Sequence, residues 1–349
     1  MSDLARPLAD AADRLFSRSE PAVLAAADAG QWQQAMWDAT VDLGPAQLLV
    51  PEDQGGAGGD WLDACTLLER AGAAGVPLPL TEAVLAGWLR ARASLGADAA
   101  GPVAFAFTTA DLSRAPVHVA VDEAAVPWAP EAARVALVGG GADDDARLLW
   151  LPRADCLVQA AERRVDPLGR VACTTPGAAA ACRPLPGLSV LDIRARAALL
   201  TAAEMAGALG RVLELSLAYT AERVQFGRAI GQFQAVQHQL AQLAEEAAAA
   251  RVAVQAAALS EGTPWFTAAA ATAKLRAGEA AGLAARIGHQ LHGAIGVTAE
   301  HALHRSTLRL HAWRDEHGSE ADWARLLVHA VRTRGMRSAW HAVVDCTSR

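Results

Sequence analysis

The stretch Glu222–Leu243, ERVQFGRAIGQFQAVQHQLAQL, decides how this chain is read. Arg223, Gln225, Arg228, Gln232, Gln234, Gln237, His238 and Gln239 crowd around Phe226 and Phe233. Gly227 and Gly231 interrupt the helical pattern, so a bend or loop is expected there. Arginine beside glutamines and aromatic rings at a helix N-terminus suits a pyrophosphate and a flat ring, because first-turn amides and guanidinium groups both donate to phosphate oxygens. The same residues equally suit a polar seam between two helices, and the stretch alone leaves both readings open.

Around this stretch the apolar spacing is helical. RAALLTAAEMAGALGRVLELSLAYTAERV leads into it, and FQAVQHQLAQLAEEAAAARVAVQAAAL continues it. After a break at Gly262–Pro264 come FTAAAATAKLRAGEAAGLAARIGHQLHGAIG and a closing WARLLVHAVRTRGMRSAWHAVV. Four long helices joined by short loops predict an up-down four-helix bundle over 189–349. Upstream, 99–188 carries short apolar runs (VAFAF, VHVAV, ARVALVGGG, RLLWLP, CLVQA) punctuated by Pro, Gly and Asp. That texture predicts a small β-barrel or sandwich. Residues 1–98 return to helical spacing in ADAADRLFS, WQQAMWDATVDLG and WLDACTLLERAGAAG. The expected fold class is α+β with several domains: an N-terminal helical domain, a small β domain and a C-terminal bundle.

A second cluster, HQLHGAIGVTAEHALHR, places Gln290, Gly293, Ala294 and Gly296 at a helix end. It holds two i,i+3 histidine pairs, His289 with His292 and His301 with His304. A di-metal site in a bundle needs Glu-x-x-His on two helices, and this sequence has no Glu-x-x-His, so no metal is expected. Histidines capping helix ends and lining an interface are expected instead. The glycines of LLVPEDQGGAGGDW lack the Lys and Ser/Thr of a P-loop and read as a plain turn. LVGGGADDD has no GxGxxG, and no GxSxG nucleophile elbow occurs.

Composition narrows the function further. Of 349 residues, 52% are hydrophobic and 20% charged, with a net charge of −7 and no basic run to follow a phosphate backbone. Nucleic acid is therefore not an expected partner. No stretch approaches the apolar length of a membrane span, and the N-terminus lacks a signal-peptide core. Five widely spaced cysteines without a CxxC support neither zinc nor a disulfide framework, so a bacterial cytoplasm is the expected compartment.

With both clusters in view, the chain resembles the acyl-CoA dehydrogenase family. ERVQFGRAIGQFQAVQHQLAQL is similar to its helix–loop–helix signature, and QLHGAIGVTAEHALHR to its flavin-contact motif. LLVPEDQGGAGG and ERAGAAGVPLPL are similar to its N-terminal helical domain. The resemblance implies FAD bound between subunits, usually in a tetramer. Arg223, Gln225, Phe226, Ile230, Phe233 and Gln234 would meet the pyrophosphate and adenosine side of a neighbouring subunit's FAD. Gln290, Gly293 and Ala294 would replace the family's Gln and Gly-Gly contacts, with Ala294 standing where the second glycine is usual. The reaction implied is α,β-desaturation of an acyl-CoA thioester, with electron-transfer flavoprotein as acceptor.

The family's base is a Glu before Gly-Thr, at a fixed distance after the motif Gln. From Gln290 that distance lands on His317, inside RDEHGSEADW (Arg314–Trp323). Gly318 and Ser319 take the places of Gly-Thr. Relatives with the base on the first bundle helix imply Leu200; Glu204 and Asp192 miss that position. Thr108 and Thr109 are what remains of the flavin-ring run in the shortened β segment. Three expectations follow. The chain is the non-catalytic subunit of a heteromeric acyl-CoA dehydrogenase, of the kind used in bacterial steroid side-chain degradation. Or it is a homomeric enzyme with Glu316 or His317 as a displaced base. Or it is a flavin-free scaffold on the same fold, which retention of the polar residues opposes, since a buried polar set without a ligand is costly.

Overall fold

The computed structural model describes residues 4–17, 21–96, 101–113, 117–121, 126–141, 145–161, 165–175 and 182–333. Cys346, the part of the WARLLVHAVRTRGMRSAWHAVV stretch after 333, and parts of the LVGGGADDD and FAFTTADLSRAP stretches lie outside the described residues. The order is helices, a small β region, then helices again. The chain divides into two compact units, 1–64 with 76–197, and 65–75 with 198–349.

The first unit contains helices α1 (Ala5–Phe16), α2 (Pro21–Asp28), α3 (Gln34–Val41) and α5 (Leu80–Arg92), and the start of α4 (Trp61–Ala74). A reciprocal cap starts α4: the Asp63 amide donates to Asp60 Oδ1 at 2.9 Å, and the Asp60 amide to Asp63 Oδ2 at 2.9 Å. The glycines before it form a closed turn. Amides of Ala57, Gly58 and Gly59 donate to Gln47, Val50 and Leu48 carbonyls, so they are not available to cradle a phosphate. A Cβ on Gly56 would stand 2.0 Å from the Val50 carbonyl oxygen, which is why glycine is needed there.

Two sheets complete the unit. The first has the order β1 (Val103–Asp111), β4 (Arg134–Gly140), β5 (Ala146–Pro152), β8 (Cys182–Leu185), with β1 parallel to β4 and the rest antiparallel. In the second, β7 (Leu168–Thr175) pairs with β2 (Val117–Ala120) and β3 (Val126–Pro127) on one edge and with β6 (Cys156–Ala160) on the other. Ala104, Ala106, Leu137, Leu149, Val171 and Cys173 are among the residues of one buried cluster drawn from both sheets. Alternating inward side chains thus make a sandwich core.

The second unit is built on α6 (Val190–Glu222) from Ala198 onward, α7 (Gln234–Leu259) and α8 (Phe266–His292), followed by α9 (Leu303–Trp313) and α10 (Glu320–Thr333). Alanine dominates their buried faces, so the helices pack closely. The tightest approach is at Gly72 and Gly207: a Cβ on either would lie 1.9 Å from a carbonyl oxygen, of Glu204 and Glu69 respectively. The short α9 is not among the helices that the apolar spacing separates. Its histidines and arginines interrupt the apolar stripe, though Leu303 and Leu310 are buried.

Candidate cofactor site

The deciding stretch folds as a hairpin between two long helices. After α6, β9 (Val224–Gln225) pairs antiparallel with β10 (Arg228–Ala229), joined by Phe226 and Gly227 alone. Both joining residues have positive φ, 53° and 79°, the signature of a two-residue hairpin turn whose twist matches its strands. Glycine accepts that conformation; for phenylalanine it costs about 1–2 kcal/mol. The Ile230 amide closes the loop onto the Arg223 carbonyl at 2.8 Å, and a 3-10 turn (Ile230–Gln232) leads into α7. Arg228 lies 4.1 Å over the Phe233 ring, and Phe226 meets Phe233 edge-on at 6.1 Å.

The hairpin side chains face outward. Phe226 is 91% exposed, and Arg223, Gln225, Arg228 and Gln234 are exposed, while Ile230 and Phe233 are half-buried. An exposed Phe ring forgoes about 2–3 kcal/mol of burial, on top of its backbone strain.

At the other motif, α8 ends at His292. Gly293 follows with φ 63° and ψ −144°, a conformation open in practice only to glycine, and begins a 3-10 turn (Gly293–Val297). Gln290, Gly293 and Ala294 are all exposed. The two motifs issue from neighbouring helix ends. Tyr219, one turn before the hairpin, stacks on His292 at 4.6 Å, and His301 packs against His292 at 4.6 Å. His292 is buried, donates from Nδ1 to the Gly288 carbonyl at 2.8 Å, and has no partner for its Nε2 among the described residues. His289 pairs with Thr307 at 2.9 Å. Burial first, and neighbouring histidines second, lower the basicity of both His289 and His301. No group of three metal-ligating side chains occurs among the described residues. Tyr219 had a sequence signal that was not used: it is the chain's one tyrosine.

The RDEHGSEADW loop differs from the solvated loop of mixed charge that its composition suggests. His317 is only 5% exposed and has φ 55°; Gly318 follows at 112°. Glu316 is half-buried. Buried Lys274 of α8 donates from Nζ to the Arg314 carbonyl at 2.8 Å and the Gly318 carbonyl at 3.1 Å. Burial brings its pKa down to about 8, against the opposing pull of Glu316, Glu320 and Asp315. Arg314 pairs with Glu320 at 2.5 Å. Ser319 caps α10: its hydroxyl donates to Asp322 Oδ2 at 2.7 Å and accepts from the Asp322 amide at 3.4 Å. Sequence reasoning missed Lys274, and the signal was available. It is the one lysine among 31 basic residues. A compact ammonium with three donors fits between two carbonyls where the planar guanidinium does not.

The alternative base positions and the two threonines of the flavin-ring run lie as follows. Leu200 is fully buried, and Glu204 is buried on the same helix. Asp192 forms the N-terminal cap of α6, accepting from the Ser189 hydroxyl at 2.7 Å. Thr108 is buried and accepts from the Ala110 amide at 3.2 Å, while Thr109 is exposed.

Family models agree with this fold. The acyl-CoA dehydrogenase N-terminal domain matches residues 3–93, and the acyl-CoA dehydrogenase C-terminal domain matches 195–342. The chain belongs to the acyl-CoA dehydrogenase family, whose members are FAD-dependent oxidoreductases. It is 36% identical to acyl-CoA dehydrogenase IpdE2 of Mycobacterium tuberculosis over 295 residues, 83% of this chain and 85% of that one. Among solved structures it is similar to the ChsE4–ChsE5 complex of Mycobacterium tuberculosis, with TM-score 0.80, 20% identity and coverage of 95% of this chain and 98% of that one. A variant of the Tcur3481–Tcur3483 steroid ACAD matches with TM-score 0.78 and 25% identity, covering 96% and 99%. No helix among the described residues is long and apolar enough to cross a membrane.

Proposed function

We propose that this chain is a subunit of a heteromeric, FAD-dependent acyl-CoA dehydrogenase, and that it completes the flavin site and the subunit interface without supplying the carboxylate base. The observation that carries this reading is a contrast within one compact unit. The hairpin and the Gln290–Ala294 turn are exposed, polar and partly strained, whereas the base position holds a buried histidine in a loop tied down by Lys274. The two-protein structures among its fold neighbours support a mixed assembly.

Arg223, Gln225, Phe226, Ile230, Phe233 and Gln234 would hold the pyrophosphate and adenosine side of FAD in a neighbouring subunit. Gln290, Gly293 and Ala294 would meet it at the second face. These residues fit the group: donors are exposed, and the turn at Gly293 presents backbone without a side chain. Bound FAD supplies the acceptor for the hydride that leaves the β-carbon. The α-proton goes to a carboxylate of the other subunit type, held in an apolar pocket that raises its pKa toward neutrality. Exposed Val224, Val252 and Leu259 give this unit apolar surface for docking. The substrate is an acyl-CoA thioester, and the steroid ACAD likeness supports a steroid-derived acyl group. Electron-transfer flavoprotein is the proposed acceptor, and the bacterial cytoplasm the proposed compartment.

The test is to purify the chain alone and co-expressed with an acyl-CoA dehydrogenase encoded beside it, recording flavin absorbance and native mass. Flavin and a mixed tetramer on co-expression only are expected. A flavin-loaded homotetramer from the lone chain would overturn the proposal in favour of a self-sufficient enzyme.

A further inference from the structure

The β sandwich contains a pair of cysteines that the desaturation chemistry does not use. Cys156 on β6 stands directly across from Cys173 on β7, and their sulfurs are 2.9 Å apart. Residues directly opposed on antiparallel strands have Cα atoms about 4.5–5.5 Å apart, within the 4.4–6.8 Å span that a disulfide bridges. Closing the bond requires the sulfurs to approach by only about 1 Å. Both side chains are buried in the core between the sheets, so the pair is held in place by packing. Among the described residues β6 pairs only with β7, and Leu157 beside Cys156 is exposed, so the pair lies beneath an edge strand.

The two thiols are not equivalent. The two sulfurs share one S–H hydrogen bond in which either can donate; with Cys173 donating, Cys156 is drawn below the ordinary thiol range despite its burial, and Arg153 acts in the same direction. Cys173 is pushed up correspondingly. Cys156 is thus the better nucleophile and Cys173 the resolving thiol.

We propose that Cys156 and Cys173 are a two-electron redox site, which a peroxide-class oxidant converts from a dithiol to a cross-strand disulfide. The Cys156 sulfur attacks one peroxide oxygen, the O–O bond breaks and water leaves, giving a sulfenic acid at Cys156. The Cys173 sulfur then attacks the Cys156 sulfur, its proton leaves with the sulfenic oxygen as a second water, and the S–S bond forms. Two thiols are oxidised and one peroxide is reduced to two waters. The product ties the edge strand to the centre of its sheet.

The experiment uses the full chain, reduced, freed of reductant and treated with a small excess of hydrogen peroxide. Intact mass is read before alkylation; remaining thiols are then alkylated and mapped by non-reducing peptide analysis. Expected are a loss of about two mass units, for the two hydrogens removed, and one cross-linked peptide joining Cys156 to Cys173. Dithiothreitol should reverse both. Half-buried Cys182, which packs against the same core, is the internal competitor. Cross-links through Cys182, Cys65 or Cys346, oxygen addition without a cross-link, or no reaction would each overturn the proposal. The map on the native protein decides even if Cys156→Ser fails to fold; a folded Cys156→Ser should lose the cross-link.

Discussion

The hairpin at Arg223–Gln234 and the loop at Arg314–Trp323 belong to the same compact unit and have opposite designs. In the hairpin, a strained Phe226 is 91% exposed, and arginine and glutamine side chains point outward. In the loop, His317 is buried, two carbonyls are bonded by Lys274, and a serine caps the next helix. Both contain a non-glycine residue at positive φ. In the loop that residue is buried between backbone carbonyls held by Lys274; in the hairpin it stands in the open. On the proposed function, the exposed hairpin is the side that meets the cofactor, and the buried loop is part of the frame.

The comparison can be broken most forcefully at Lys274. Lys274→Met leaves two carbonyls without their donor and should destabilise the chain by about 3 kcal/mol, measured by chemical denaturation. Lys274→Arg should not restore stability, because the guanidinium does not fit. The wild type should also carry a pH signature that the Met variant lacks. With a native pKa of about 8 against 10.5 unfolded, the native state loses its proton first. Between those values the unfolded chain binds more protons, so stability rises with pH, by an amount on the order of 3 kcal/mol. Next in size is the hairpin. Arg223→Ala with Gln225→Ala should lower flavin affinity in the assembled complex at least about tenfold, roughly 1.4 kcal/mol. The melting of the lone chain should hardly change, since exposed substitutions stay within about 0.5 kcal/mol. Smallest is Phe226→Gly, which removes strain and should stabilise the lone chain by about 1 kcal/mol while weakening assembly.

The sequence showed the hairpin more readily than the loop. Gly227 and Gly231 inside a polar, aromatic stretch mark a break between helices, and the residues around the break are the ones the structure turns outward. The turn itself was not legible, because Phe-Gly lacks the Asn-Gly or Asp-Gly preference of such turns. The loop failed to read as buried because its partner, Lys274, lies 40 residues earlier on another helix. Local composition cannot report a contact at that distance. The same holds for Cys156 and Cys173, whose separation of 17 residues matches no motif and acquires meaning only from strand register. The order of helical, β and helical segments was legible throughout, since hydrophobic period changes between them.

On the proposed function, the proton-abstracting base belongs to the other subunit and not to this chain. The most direct measurement is exchange of the substrate α-proton with solvent deuterium in the co-expressed complex, comparing variants of each subunit at equal flavin content. Glu316→Ala and His317→Ala here should leave exchange within about twofold, whereas replacing the other subunit's carboxylate by its amide should cost about a hundredfold or more. A hundredfold loss from Glu316→Ala or His317→Ala, with flavin still bound, would contradict the account and place the base in the Arg314–Trp323 loop.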